Sequence, residues 1–391
     1  MAAADAGPAP AAAPEGALRP GATLGILGGG QLGRMLAMEA RRMGYKVAVL
    51  DPEPACPARG WCDTFVPGAF TDAAAALRLA QASDVVTVET EHIPAAVLDE
   101  VARVRPVHPK PDVLRHIQDR LSQRRFLAAH GLPQPVWAAV DDEAGAAAAQ
   151  AAVGTPAILK RRTGGYDGKG QARIAAGGSV AAAWRDLGSA PCVLEAFVPF
   201  EREVSALLTR SADGRVRHFP LAWNVHRNGI LHTTTVPAAV PDTVAAEARR
   251  IAQRVAAALG HRGVLCVELF LLADGRLLVN EVAPRVHNSG HPSLGACASS
   301  QFEEHVRAVL GLPAGDPRLL TPATMLNVLG DAWAKGEPDW ARVLAEPRAR
   351  LHLYGKAQAR PGRKMAHVLV LDPDAAESHR AAEALHRSLL G

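Results

Sequence analysis

The sequence predicts an α/β unit joined to an α+β unit, and three observations carry that expectation. An apolar run, Thr23-Leu-Gly-Ile-Leu27, feeds a glycine turn, GGGQLG over 28–33, and a helical pattern follows at once. Short β-branched strands then alternate with helical stretches, the pattern of a parallel sheet covered on both faces. Beyond residue 200 the strands lengthen and Asp-Gly pairs stand between them, as in antiparallel hairpins.

Residues 1–20 are rich in Ala, Pro and Gly, with no basic start and no apolar core, so they read as a disordered leader rather than a signal peptide. The first domain, 21–115, begins with a strand at 23–27, a helix over 32–43 and a strand over 45–50 that ends in Asp51-Pro52. A helix over 72–81 and a strand over 84–88 follow, and that strand runs into Glu89-Thr90-Glu91. The second unit, 116–200, starts with a helix over 116–130 that closes at Gly131, with Pro133 just beyond. A strand over 156–160 runs into the glycine-rich segment RRTGGYDGKG, 161–170; a short strand, a helix over 179–187 and a strand over 192–195 complete it. The third unit, 201–391, has strands over 203–209, 216–223, 263–272 and 276–282, with Asp213-Gly214 and Asp274-Gly275 as turns. A helix over 243–259 precedes the third of these strands, and the tail holds short strands around Leu326, Leu351 and Val368 before a last helix.

Composition excludes several classes. At 391 residues the chain exceeds one compact core and fits two to three domains. Its net charge is +4 and its basic residues are scattered, which argues against a nucleic-acid partner. No apolar stretch approaches the roughly 20 residues of a membrane span. The five cysteines are odd in number and form no C-x-x-C pair, so reduced thiols in a cytoplasmic compartment are expected.

Gly28, Gly30 and Gly33 satisfy G-x-G-x-x-G, and Asp51 ends the next strand, where a nicotinamide cofactor's ribose would want an acid. The physical content of the turn is narrower: N–H groups at a helix N-terminus offer partial positive charge to any anion. On the turn alone, both a dinucleotide and another phosphate remain open. Lys160 and the loop Gly164-Gly-Tyr-Asp-Gly-Lys-Gly170 suit a polyphosphate, which backbone amides wrap and ammonium groups offset, although the spacing is not that of a P-loop. The bland alternative is a mobile hairpin with solvated lysines. Glu195-Ala-Phe-Val198, with Glu203 behind it, offers backbone groups to a base edge and carboxylates to amino and hydroxyl groups, or else is a solvated strand edge.

The strongest signal is Glu268, set in the otherwise apolar run 264–270, together with Asn280-Glu281 at the end of the next strand. A hairpin joins the two strands, so the carboxylates can converge. With an amide oxygen, water and phosphate oxygens they make a magnesium site, whereas a buried carboxylate without a cation is costly. A salt-bridged pair at a sheet end is the alternative. Next comes PRVHNSGH, 284–291, a loop at the strand's mouth: Arg285 can hold a developing acyl-phosphate charge, and His287 and Asn288 can orient a nucleophile. His287 and His291 match H-x-x-x-H, but Ser289-Gly290 and Pro292 break the helix that a zinc pair would need. Lys356, Arg360, Arg363 and Lys364 form a basic cluster, either a solvated loop or a phosphomonoester clamp.

Together these segments resemble the ATP-grasp ligases, and most closely the N5-carboxyaminoimidazole ribonucleotide synthase family. The resemblance spans about 22–372 and rests on GGGQLGRM (28–35), KRRTGGYDGKGQ (160–171), NEVAPRVHNSGH (280–291) with SQFEEH (300–305), and GRKMAH (362–367). Ala366 stands where the family usually has glycine. The resemblance implies a Rossmann-like pre-ATP-grasp domain, a small lid domain and a larger C-terminal sheet domain, with ATP gripped between the last two. It puts adenine near Glu195, Ala196, Phe197 and Val198, and the ribose on Glu203. Arg120, Lys160, His226, Asn280 and the loop residues Gly165, Tyr166, Asp167, Gly168, Lys169, Gly170 and Gln171 would line the nucleotide pocket. Glu268 and Glu281, helped by Asn280, would bind magnesium, with manganese as an alternative ion. The ribonucleotide's 5′-phosphate would rest on Gly30, Gln31 and Leu32 with Lys356, Arg363 and Lys364, and either Glu89 or Glu91 would face that substrate.

The implied reaction is the ATP-dependent carboxylation of 5-aminoimidazole ribonucleotide by bicarbonate, through carboxyphosphate, in purine biosynthesis. The glycine flap would act as a lid against water, with Lys160, Lys169, the metal ion and Arg285 countering phosphoryl charge. The expected partners are the ribonucleotide, bicarbonate, ATP and a second copy in a homodimer. The chain ends without a mutase domain, so a separate mutase would act downstream. A formate-dependent purine transformylase or a glycinamide ribonucleotide synthetase would share the magnesium strands, but PRVHNSGH and GRKMAH argue against both. A nicotinamide oxidoreductase and a non-enzymatic nucleotide sensor complete the alternatives.

Overall fold

The computed structural model describes residues 16–165 and 168–390. Residues 1–15 of the expected leader, and Tyr166 and Asp167 of the expected flap, lie outside the described residues. Within 16–20, also assigned to the leader, Leu18 is anchored: its N–H donates to the Leu310 carbonyl, and the Tyr45 hydroxyl donates to the Leu18 carbonyl at 2.8 Å.

The first sheet is fully parallel, with β1 (Thr23–Leu27), β2 (Lys46–Asp51), β3 (Thr64–Pro67), β4 (Val85–Val88) and β5 (Val107–His108) in the order β3-β2-β1-β4-β5. Helices α1 (Gln31–Arg42), α2 (Ala73–Gln81), α3 (Ala95–Ala102) and α4 (Pro111–Ile117) accompany it. Leu24, Ile26, Val47 and Val49 are fully buried, as continuous apolar strands of a covered sheet must be. The chain leaves β1 to one side and returns to the other through β4, so the switch point lies at their carboxyl ends, where such sheets bind ligands. The turn there is tight: a Cβ at Gly33 would run into the Gly28 carbonyl oxygen. Gly33→Ala is therefore expected to cost about 1–3 kcal/mol through overpacking, seen as a lower thermal midpoint.

Helix α5 (Arg120–Ala129) leads into a small antiparallel sheet of β6 (Trp137–Val140), β7 (Ala157–Arg161), β8 (Gln171–Ile174) and β9 (Cys192–Ala196), ordered β6-β9-β7-β8. Helices α6 (Glu143–Val153) and α7 (Val180–Asp186) cover one face through Ala146, Ala149 and Val180. Lys160 pairs with Gln171 across β7 and β8, so the glycine segment joins two bonded strands.

The third sheet has nine strands: β10 (Phe200–Arg210), β11 (Val216–His218), β12 (Ala222–Arg227), β13 (Ile230–Val236), β14 (Gly263–Leu272), β15 (Leu277–Ala283), β16 (Ala323–Leu329), β17 (Ala349–Leu353) and β18 (Lys364–Leu371). Their order is β15-β14-β10-β12-β13-β16-β18-β17, with β11 added on β10. Helix α8 (Asp242–Ala258) packs Ile251 and Val255 against Leu208, Leu265 and Val267. After the short α9 (Ser293–Ala296), helix α10 (Gln301–Val309) joins the first domain to this sheet: Phe302 and Val306 share a core with Leu36 and Cys266. Beyond α11 (Trp340–Leu344), α12 (Ala375–Leu390) closes the chain over the far end of the sheet, with Ala382 and Leu389 against Val328 and Val368. No described helix is long and apolar enough to cross a membrane.

Two expected elements divide. The helix expected over 116–130 breaks at Asp119, whose carboxylate caps α5 by accepting the Ser122 N–H at 3.0 Å. The strand expected over 216–223 is interrupted at Phe219-Pro220-Leu221, where β11 ends and β12 begins, since Pro220 has no N–H for a ladder. The β12–β13 hairpin turns on Asn228 and Gly229, both at positive φ (52° and 77°), which only such residues adopt at little cost.

Candidate active site

A cleft of about 1120 Å³ opens between the three sheets, more than one drug-sized ligand requires. It is bordered by Gln31, Leu32, Glu89 and Glu91 from the first domain, and by Arg120, Lys160, Gly165, Gly168, Gln171 and Phe197 from the lid side. The large sheet contributes Glu203, His226, Glu268, Asn280, Glu281, Arg285, His287, Asn288 and Lys364.

At its centre, Glu268 on β14 is paired in register with Glu281 on β15, so both side chains leave the same face. The register slips after Glu268, where Leu269 pairs with Val279, and Asn280 is the extra residue of a bulge. The bulge cancels the usual alternation, so Asn280 and Glu281 both border the cleft. Burial and the Glu281 carboxylate push Glu268 up to about 7. The Glu281 carboxylate lies 3.5 Å from Arg120, and His287 Nε2 lies 3.4 Å from Glu268. His287 is held by Gln301, which accepts its N–H at 2.8 Å and donates to its carbonyl at 2.7 Å; burial keeps the imidazole well below its ordinary pKa, hence neutral. Asn288 borders the cleft with both side-chain polar atoms unpartnered among the described residues.

On the lid side the Lys160 ammonium donates to Glu195 at 2.7 Å, and Arg124 Nε donates to the other oxygen of that carboxylate at 2.9 Å. Burial alone would raise the Glu195 pKa, but Lys160 and Arg124 together hold it down at about 2. Arg124 also donates to the carbonyls of Val279 at 2.9 Å and Asn280 at 2.7 Å, tying the lid sheet to the magnesium-candidate strand. The Glu195 carboxylate is thus committed to two cations and is not offered to a base, against expectation. Nearby, His226 Nδ1 meets Glu203 at 2.5 Å; burial lowers the His226 pKa, but this carboxylate raises it above the ordinary value.

At the other end, the glycine turn is already carrying carboxylates. Gly29 donates to Asp51 at 2.7 Å, and Gly30 and Gly33 donate to the two oxygens of Glu89 at 2.9 and 2.6 Å. Asp51 is 7% exposed and braces the turn, so it is not available to a ribose, and Glu89 fills the place of a pyrophosphate. The nicotinamide reading is overturned on that geometry. The N–H groups of Gln31 and Leu32 make no hydrogen bond within the described chain, and both residues border the cleft. Glu91 takes the other course: it accepts from Arg285 at 2.8 Å, and burial opposes but does not prevent a raised Arg285 pKa.

Several expected residues do not border the cleft: Gly30, Lys169, Gly170, Glu195, Ala196, Val198, Lys356 and Arg363. Lys356 donates to the Lys364 carbonyl at 2.7 Å and Arg363 to the Gln358 carbonyl at 2.9 Å, so of that basic cluster Lys364 alone borders it. His291 stacks on His367 at 4.6 Å and, unlike His287, does not border the cleft. Arg124 and Gln301 are buried links to which the sequence assigns no role; Gln301 lies within SQFEEH, whereas nothing local marks Arg124.

Three family models match in chain order: the ribonucleotide synthetase preATP-grasp domain over 21–118, the ATP-grasp domain over 125–302, and the phosphoribosylaminoimidazole carboxylase C-terminal domain over 323–381. N5-carboxyaminoimidazole ribonucleotide synthase of Brucella melitensis is 47% identical over 91% of this chain and 98% of its own length. A solved ADP complex of N5-carboxyaminoimidazole ribonucleotide synthetase superposes with a TM-score of 0.90 at 39% identity, covering 95% of this chain and 98% of the other. The Aspergillus clavatus N5-carboxyaminoimidazole synthase, solved with ADP and 5-aminoimidazole ribonucleotide, gives 0.87 at 33% identity, over 95% and 99%.

Proposed function

The chain belongs to the N5-carboxyaminoimidazole ribonucleotide synthase family of ATP-grasp ligases, and we propose a division of labour within its cleft on that premise. The enzyme couples ATP cleavage to carboxylation of 5-aminoimidazole ribonucleotide in purine biosynthesis. The nucleotide end comprises Lys160, Phe197, Glu203, His226 and the flap residues Gly165, Gly168 and Gln171. The ribonucleotide end comprises the free N–H groups of Gln31 and Leu32, with Lys364, for the 5′-phosphate.

Glu268, Asn280 and Glu281 form an all-oxygen donor set, the kind magnesium takes together with phosphate oxygens. The fit rests on the raised Glu268: two facing carboxylates resist joint ionisation unless a cation lies between them. Bound there, magnesium would neutralise the charge of the transferring phosphoryl group.

The protein's own share is positioning and charge. Bicarbonate takes the γ-phosphoryl group to give carboxyphosphate and ADP; the exocyclic amine then takes up the carboxyl carbon, and phosphate departs. Arg285, aimed by Glu91, offsets the anionic charge that builds on the acyl phosphate. Neutral His287 and the unpartnered Asn288 amide orient the reacting groups. A homodimer, a separate downstream mutase and a cytoplasmic location accompany this reading.

The observation that carries it is the register pairing of Glu268 with Glu281 in one cleft with Lys160 and Arg285. A phosphate-release assay with MgATP tests it, with ribonucleotide and bicarbonate supplied together and apart. Release should depend on the ribonucleotide, and Glu281→Gln should reduce it about a hundredfold or more with an unchanged circular dichroism spectrum. Release indifferent to the ribonucleotide, or normal turnover in the variant, would sink the assignment.

A further inference from the structure

We propose that His232, Glu383 and His386 bind a divalent first-row transition-metal ion, zinc being the best suited, on the side of the large sheet away from the cleft. The site is independent of the proposed function. Leu231 of β13 borders the cleft, whereas His232, the unpaired residue of a bulge in the β12–β13 ladder, meets α12 through Glu383 and His386. Glu383 and His386 are three residues apart on α12 and therefore share the face that meets it. One donor atom from each of the three lies within 4.8 Å of the others. His232 Nε2 is 3.0 Å from the Glu383 carboxylate, and the His232 and His386 rings meet edge-on at 4.5 Å.

Two imidazoles and a carboxylate are a borderline-soft set that suits zinc, cobalt or nickel, in contrast to the all-oxygen set in the cleft. Burial lowers His232 to about 4 and His386 below its ordinary value, so both rings are neutral near pH 7, as ligation requires. Glu383 is fixed from outside: Arg227 donates to both its oxygens at 2.9 Å, the outer hydrogen bonding that ligating carboxylates usually receive. His379, one turn earlier, faces Trp223 and takes no part. Three protein donors leave a fourth position for water.

The test uses the full-length protein, stripped with chelator and dialysed against zinc chloride in excess magnesium, which competes for the oxygen site in the cleft. One zinc per chain should be retained, and His386→Ala should weaken its binding by about tenfold or more. Cobalt in place of zinc should give visible absorption bands that vanish in the variant. ATP turnover with magnesium should be unchanged, because His386 touches nothing in the cleft. Glu383→Gln, nearly isosteric, provides a second variant should the first unfold. Failure to retain zinc, or retention undiminished in both variants, would overturn the proposal.

Discussion

Arg285→Ala is expected to lower kcat about 10²–10³-fold while leaving the KM for ATP close to that of the parent enzyme. The split follows from position. The guanidinium donates to Glu91 and to the Val286 carbonyl, on the side of the acidic pair proposed for the ribonucleotide, whereas the proposed nucleotide end comprises Lys160, Glu203 and His226. Its charge matters most when the acyl phosphate forms and little when ATP merely binds. Steady-state kinetics by phosphate release gives both constants. Arg285→Lys should recover part of kcat, because it keeps the charge but not the planar fork. Equal loss in both constants would mean that Arg285 supports binding in general, and the catalytic role would have to be dropped.

Arg124→Met should destabilise the protein by about 3–5 kcal/mol, the usual cost of removing one partner from a buried ion pair. Arg124 is 2% exposed, and its loss leaves Glu195 with Lys160 alone and two carbonyls without their donor. The acid response should change with it. In the parent, Glu195 has a folded pKa near 2, below the ordinary 4.5, so its contribution is full above that ordinary value and lost as pH falls towards 2. Without Arg124 the folded pKa rises, and acid unfolding should begin at a higher pH, followed by circular dichroism. Because Lys160 is held by the same carboxylate, ATP affinity should also fall. An unchanged acid midpoint would show that Glu195 depends on Lys160 alone.

How far these features were legible depended on the range of the cause. Glu268 announced itself because a carboxylate inside an apolar strand needs a reason, and Asp274-Gly275 supplied the hairpin that pairs it with Glu281. The bulge at Asn280 was not legible, since a register slip depends on the partner strand. Arg124 stands beside Arg125 in one helical run, and what distinguishes them is distant in sequence: a carboxylate 71 positions away and the carbonyls of Val279 and Asn280. Helix α6 is mostly alanine, too uniform to show an apolar face, and β12–β13 carries His and Arg where alternation would want apolar residues. The glycine turn announced its geometry but not its occupants, Asp51 and Glu89, which arrive from other strands.

Those two acids have a bearing on ligand choice. A turn whose backbone would welcome a diphosphate is made inhospitable to it, because three of its amides already donate to carboxyl oxygens and are not offered to a ligand. A monoester arriving from the cleft side would find the amides of Gln31 and Leu32 without a partner among the described residues, beside Glu89. The discrimination therefore resides in the side chains that take up the loop's amides, not in the loop itself.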